Sequence, residues 1–450
     1  MGYQKHDSLK SIVVGAGIGG LACAIACRQR NIEVVVLERA PEFRPVGAGI
    51  QLPANATRAM RELGLYERLK DHDAVTVQNH VMRAYNTGRV LASKTAGHVT
   101  TELYGTEWMV IHRARYHSLL LEEAIRLGVE VRLGCEVAEV KVKPSVTVLT
   151  LQDGSTVSGD VVIGADGLWS QMRRSGLHDC TVPSETGDLA YRGTFSAEQL
   201  RDMRDAGVEE LLQASDVQVW LGPEKHVVFY PVNNNTQYNL VLLRPDDLPK
   251  DARTELGSLD EMRETFKGWD PRLTRMIAQL QTALKWKLCH CEELETWVNG
   301  SVALLGDACH PTLPYQAQGA AMAVEDGLTL GVLLGRLNEC SDMMHDCILR
   351  EALEGVLTLY EKLRKLRTTV SVKGAVSMQN FFHLADGDAQ TYRDQILHDY
   401  DLTSAWPADC KWNWGDAVYQ RSLLGVDVVK DANEAFDLWT KERGGQQDQQ

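Results

Sequence analysis

Apolar positions fall in short unbroken runs near the start of this chain and in strict alternation further on. Ile12-Val13-Val14 is a short buried strand, Leu21 to Arg30 predicts a helix with Ala and Cys on its buried side, and Ile32 to Leu37 is a second apolar strand ending at Glu38. From about 175 to 290 the texture changes. "DVQVWLGPEKHVVFYPVNNNTQYNLVLLRP" alternates apolar and polar residues, with turns at Gly222-Pro223 and Asn233-Asn234-Asn235, which predicts antiparallel sheet. "GSVALLGDACHPTLPYQAQGAAMAVEDG", Gly300 to Gly327, reads as strand, turn and helix. From about 340 the pattern is helical, interrupted near "HLADGDAQ" and "LTSAWPADCKWNWGD", and the tail "GGQQDQQ" has the composition of disordered chain. No internal repeat is visible.

The first strand, helix and second strand enclose a spacing with chemical content. Gly15, Gly17 and Gly20 complete G-x-G-x-x-G between strand and helix. Gly15 permits the tight turn, Gly17 lets backbone approach a pyrophosphate, and Gly20 allows close packing of helix on strand. The helix N-terminus presents free N–H groups and partial positive charge to phosphate. Glu38 stands at the end of the second strand, where a carboxylate accepts bonds from ribose hydroxyls. A dinucleotide-binding fold of Rossmann type is therefore expected. Gly47-Ala48-Gly49 then forms a second Gly-rich turn, which an NAD-binding crossover has no reason to carry there.

Length and charge narrow the partners. A chain of 450 residues exceeds one small core, and 44% hydrophobic with 24% charged residues is ordinary globular composition. A net charge of −14 disfavours nucleic acid and anionic membrane surfaces. No apolar run is long enough for a transmembrane helix, and "MGYQKHDSLK" lacks a signal core, so a cytoplasmic protein is expected. The ten cysteines are scattered, as for reduced thiols. "CHCEE" at Cys289 to Glu293 is read as alternation along a strand, so no metal site is expected.

The ordered set of motifs resembles the class A flavoprotein aromatic hydroxylases, in the salicylate hydroxylase-like branch found widely in fungi and bacteria. The resemblance rests on the dinucleotide fingerprint, "GAGIQLPANATR", "HRARYHSLL", "GADG", "AYRG", "GPEKHVVFYPV" and "GDACHPTLPYQAQGAAMAVEDG", and spans nearly the whole chain. It implies an α/β protein with a discontinuous Rossmann-type FAD-binding domain (1–175 and 291–345), a mixed-sheet substrate domain (176–290) and a helical C-terminal region (346–450). It implies FAD held by Gly15, Gly17, Gly20, Glu38, Arg39, Ala48, Gly49, Arg113, Asp166, Asp307, Gly319 and Ala320. Asp307 would bond a ribityl hydroxyl, and the helix opening at Gly319-Ala320 would aim its N–H groups at the flavin ring. Asp166 would lie near the FAD phosphates, and Arg173 and Arg174 either pair with those phosphates or sit on a solvated face. No second G-x-G-x-x-G occurs, so NADH or NADPH would dock transiently at the surface.

The implied reaction is NAD(P)H- and O2-dependent hydroxylation of a phenolic or salicylate-type ring through a flavin 4a-hydroperoxide. Arg192 would favour the anionic substrate, with His226 as base and Tyr230 beside it, since a spacing of four puts both on one strand face. Dearomatising hydroxylation or epoxidation of a polyketide, indole or alkene in secondary metabolism is the alternative; a non-catalytic FAD-binding protein is the remote one. Pro314 before Tyr315 stands where some bacterial hydroxybenzoate hydroxylases place a glutamine, so their regiochemistry is not carried over. The expected assembly is a monomer or homodimer.

Overall fold

The computed structural model describes residues 8–44, 47–143, 146–341, 346–401, 403–412 and 415–447. A six-stranded, mostly parallel sheet carries the N-terminal motif. Lys10–Val14 lies between Glu33–Leu37 and Val161–Gly164, and Val302–Leu304 extends the sheet beyond Val161–Gly164, all in parallel register. Glu130–Arg132 and Val298–Asn299 form its edges. These strands are short runs of Val, Ile and Leu because both sheet faces are covered. Residues near 300 thus return to a sheet begun near residue 10.

The helix predicted over 21–30 runs Ile18–Arg28, starting earlier because Gly19 and Gly20 are already helical. It ends where Asn31 turns into the left-handed region at φ 59°. Its partner is the helix Gly319–Ser341, almost 300 residues away. A Cβ on Gly331 would sit 2.4 Å from Cβ of Ala26, and one on Gly327 would sit 2.6 Å from the Cys23 backbone nitrogen. Small residues on both helices are therefore a packing requirement.

An eight-stranded sheet forms the second layer. Its order is Thr254–Leu256, Leu284–His290, Ser184–Ser196, Gln237–Pro245, Lys225–Val232, Val217–Gly222, Asn79–Ala84 and Val90–Thr95. The pairing is antiparallel except between Val217–Gly222 and Asn79–Ala84. The last two strands come from the part of the chain before 175, so the first segment lends a hairpin to this sheet. Helices Asp346–Phe382, Asp388–Asp399, Ala417–Leu424 and Val428–Gln447 complete the molecule. The tail expected as disordered is helical through Gln447, as the end of a helix that Ala432 and Phe436 anchor in the core; residues 448–450 lie outside the described residues.

A buried ionic cluster joins these parts. Asp326 accepts from Arg364 Nε (2.7 Å), His310 Nε2 (2.6 Å) and the Gly306 amide (3.0 Å). Glu325 accepts from Arg364 (2.8 Å), Arg367 (2.9 Å) and Asn55 (3.0 Å). Burial opposes ionisation of Asp326, yet His310 and Arg364 hold its carboxyl down at about 2. Removing one partner strands the others without compensation in a dry interior. Arg364→Met should therefore cost about 3–5 kcal/mol, read as a lower urea midpoint. Because the folded pKa of Asp326 is depressed, its contribution is present above roughly pH 4 and is lost as pH falls toward about 2. A variant with the wild-type midpoint and wild-type acid transition would show that the cluster is not stabilising.

Candidate active site

Two connected hollows run between the layers. One, of about 230 Å³, is lined by Gly15, Gly17, Glu38, Arg39, Asp166 and Trp169 among others. The second, about 380 Å³, shares Gly17, Ala165 and Gly167 with it and reaches Gly49, Arg113, Asp307, Gly319 and Ala320. Its far wall is the eight-stranded sheet, through Arg192, His226 and Tyr230. The fold thus gathers the three groups of residues singled out in the sequence along one channel.

At the fingerprint, Gly17 caps the helix Ile18–Arg28 without any side-chain acceptor, and the first turn carries no acid. A Cβ on Gly17 would meet nothing within 4 Å, so the backbone is open to the channel. Uncapped N–H groups beside open backbone fit a pyrophosphate, and the site fits a dinucleotide. Glu38 is partly occupied with the turn itself: its carboxylate accepts from the Ala16 and Ala40 amides, both at 2.9 Å. Arg39 is exposed at the rim. Ala48 is buried, and its carbonyl accepts from the Arg113 amide (2.9 Å), which opens the helix Arg113–Arg126.

Asp307 shows its carboxylate to the larger cavity with protein on its other sides. Loss of bulk water raises its pKa, against the pull of His310 and Arg113. The helix Gly319–Ser341 opens on the same cavity, where Gly319 and Ala320 offer backbone without bulk. Asp166 behaves differently from Asp307. Its carboxylate accepts from Ser170 Oγ (2.6 Å) and from the Gln171 and Met172 amides (2.7 and 2.9 Å), so it caps the next helix. Arg173 corrects the expectation of a phosphate partner or a solvated face. It is fully buried and donates to the carbonyls of Ala308 (2.9 Å) and Leu168 (3.1 Å), pinning two channel loops together.

The sheet face holds the remaining chemistry. Arg192 lies in the strand Ser184–Ser196 and faces the cavity, while Tyr191 points the other way into a cluster with Arg244 and Glu261. The Arg192 Nε is buried without a hydrogen-bond partner, and burial lowers the pKa of the guanidinium. His226 and Tyr230 share one face of the strand Lys225–Val232. Burial pushes the Tyr230 hydroxyl well up, and burial with the neighbouring His383 pushes His226 well below the usual imidazole range. Gly49 touches this wall: a Cβ there would lie 2.4 Å from the Tyr230 ring, and its amide donates to Asn239 Oδ1 (3.0 Å). The second Gly-rich turn is thus fitted to Tyr230.

Some residues escaped the sequence. His226 Nδ1 and His383 Nε2 share a 2.7 Å hydrogen bond. Asp188 accepts from the Tyr315 hydroxyl and from Gln379 Nε2 (2.7 Å), and lies 3.7 Å from His383 Nδ1. His383 and Gln379 sit at the end of a long helix whose local pattern is only amphipathic, so nothing near them signals a cavity.

Comparison with known proteins agrees with this geometry. The family model described as an FAD binding domain matches residues 8–347. The chain is 36% identical over 434 residues to the FAD-dependent monooxygenase OpS4 of Beauveria bassiana, covering 96% of this chain and 98% of that one. It is 34% identical to 3-hydroxybenzoate 6-hydroxylase 1 of Aquipseudomonas alcaligenes, covering 87% and 93%. Among solved structures, a salicylate hydroxylase substrate complex superposes with a TM-score of 0.77 at 24% identity, covering 95% of this chain and 98% of that one, a likeness of fold. Klebsiella pneumoniae HpxO complexed with FAD and uric acid gives a TM-score of 0.74 at 25% identity, covering 89% and 95%. With fingerprint, channel and relatives in agreement over nearly its full length, the chain belongs to the FAD binding domain family and is an FAD-dependent monooxygenase.

Proposed function

We propose that this monooxygenase hydroxylates an electron-rich aromatic ring whose phenolate or carboxylate rests on Arg192. The observation that carries the reading is the buried, unpartnered Arg192 Nε on the wall facing the cofactor channel. A buried cation without a counter-charge is costly, and an anionic ligand would supply one. Relatives named as hydroxybenzoate hydroxylases support the same substrate class.

Gly15, Gly17 and Gly20 would hold the FAD pyrophosphate, Glu38 and Arg39 the adenosine end, and Ala48, Gly49, Arg113, Asp307, Gly319 and Ala320 the flavin end. Bound FAD supplies the exchange of electrons with NADH or NADPH and the activation of dioxygen. The protein's own contribution is placement and proton management. Arg192 favours ionisation of a phenol whose ordinary pKa is near ~10. His226, kept neutral by burial, is available to accept the phenolic proton, with Tyr230 beside the ring. Val228, Val241, Leu243 and Leu313 close the cavity with apolar surface, which excludes water. The same wall admits a polyketide phenol, and product analysis separates the two substrate sources. In this reading the FAD-binding parts are 1–175 and 291–345, the substrate sheet is 176–290, and 346–450 closes the molecule. The scattered free thiols support cytoplasmic placement, as a monomer or homodimer.

The test is a screen for substrate-stimulated NAD(P)H oxidation over phenols and hydroxybenzoates, repeated with Arg192 variants. Arg192→Ala should cost about 2–4 kcal/mol in kcat/KM, and Arg192→Lys should recover only part, since a point charge does not replace a planar fork. FAD content should be unchanged in both. Wild-type turnover and coupling in Arg192→Ala would remove the arginine from the site. Gly49→Ala should displace the Tyr230 ring and raise the share of NAD(P)H lost as hydrogen peroxide; normal coupling in that variant would show that the turn tolerates a side chain.

A further inference from the structure

Several other features were candidates for chemistry of their own. The surface groove beside Glu198, Asp202 and Arg275 is open and has no buried polar group aimed into it. His80, buried with an unpartnered Nε2, borders a space of only about 20 Å³, too small for a ligand. Arg253 stacks 3.7 Å over the Trp169 ring at the channel rim, but both groups satisfy each other there. The arrangement behind His226 goes further.

His226 is engaged through Nδ1 alone, so Nε2 is the ring nitrogen left for the cavity that His226 lines. The ring is fixed from three sides, with centroids 5.2 Å from Tyr315, 4.9 Å from Phe382 and 5.0 Å from His383. Behind it, His383 presents Nε2 to His226 at 2.7 Å and turns Nδ1 toward Asp188 at 3.7 Å. His383 is partly exposed whereas His226 is buried, so the pair leads from the cavity outward. The exposed Glu224 stands at the outer end, its amide donating to the His383 carbonyl at 3.0 Å. A buried histidine with a single neutral neighbour would be a dead end for a proton; this one has a second carrier.

We infer that His226 and His383 form a two-histidine proton path that carries the proton of a bound phenol from the cavity, past the buried Asp188, to the surface at Glu224. The inference rests on the proposed phenolic substrate. Each step balances. The phenol O–H bond breaks and its proton goes to His226 Nε2, while the His226 Nδ1–H proton passes to His383 Nε2. The phenolate keeps the electron pair and faces Arg192. His383, now cationic, gives up its Nδ1–H proton to solvent or to Asp188. Reversal of the same steps returns a proton to the product. His383 is a positioning and relay residue, since it reaches substrate only through His226.

The charged and titratable groups around the pair come from every packed element. Asp188 lies on the strand Ser184–Ser196, Tyr315 on the turn Pro314–Gln316, and Glu224 on the turn ahead of Lys225–Val232, with Arg192 and Tyr230 on the cavity side. Burial lowers the pKa of His383, while Asp188 and Glu224 oppose that shift. His226 has no such carboxylate, so an excess proton is better tolerated at His383. That order drives the proton outward.

A pH jump on the FAD-loaded protein with 4-nitrophenol bound tests the path without turnover. The bound phenol is followed at its phenolate absorbance after a jump from acid to alkaline pH, at several free phenol concentrations. His383→Gln keeps an acceptor for His226 Nδ1 but cannot relay, and should slow the concentration-independent ionisation about tenfold or more. His383→Ala should slow it equally and recover with added imidazole. The final fraction of bound phenolate should stay the same in all three proteins, since Arg192 sets it. Wild-type rates in His383→Gln, or a slow His383→Ala that imidazole does not restore, would overturn the path and leave the phenol site standing. Failure of the wild-type protein to bind 4-nitrophenol would overturn the phenol site and the path together.

Discussion

The close approach of two helices governs this structure. Ile18–Arg28 and Gly319–Ser341 touch along a stripe where Gly327 and Gly331 meet Cys23 and Ala26, with no room for a Cβ. Both helices begin at the same channel. Sliding them apart would separate the two helix N-termini that line the channel, which the proposed function assigns to the phosphate and to the flavin ring. One contact between segments some three hundred residues apart therefore brings two helix N-termini to one channel, where their dipoles add and would favour negative charge.

The second helix also carries Glu325 and Asp326, whose buried pairing with Arg364, Arg367 and His310 fixes the loop at Gly306. Asp307 follows directly, so the carboxylate on the cavity is placed by salt bridges it does not join. The opposite wall is held by ordinary sheet register, with Tyr230 across from Asn239, which in turn holds Gly49. Charge is thus neutralised beneath the cofactor channel, while Arg192 remains uncompensated above it. Under the proposed function, that contrast would favour an anionic ligand at Arg192.

Much of this was legible in the sequence because it is local. The fingerprint and the placement of His226 and Tyr230 on one strand face both follow from short-range spacing. What escaped depends on distant contacts. Arg173 looked like a surface or phosphate arginine because nothing in its helix reveals the carbonyls of Ala308 and Leu168 waiting for it. Arg364 lies within the helix Asp346–Phe382 and His383 directly follows it, and they differ only in which buried groups that stretch passes. The contact of Gly49 with the Tyr230 ring likewise joins segments nearly two hundred residues apart.

The central claim is that both helix termini and the Gly306 loop form a single FAD site. Amide hydrogen exchange on the apoprotein with and without added FAD measures this directly. Protection should appear together at residues 15–20, 305–308 and 319–323, with the same dependence on FAD concentration. Protection confined to 15–20, or appearing at the two helices with different affinities, would contradict the account.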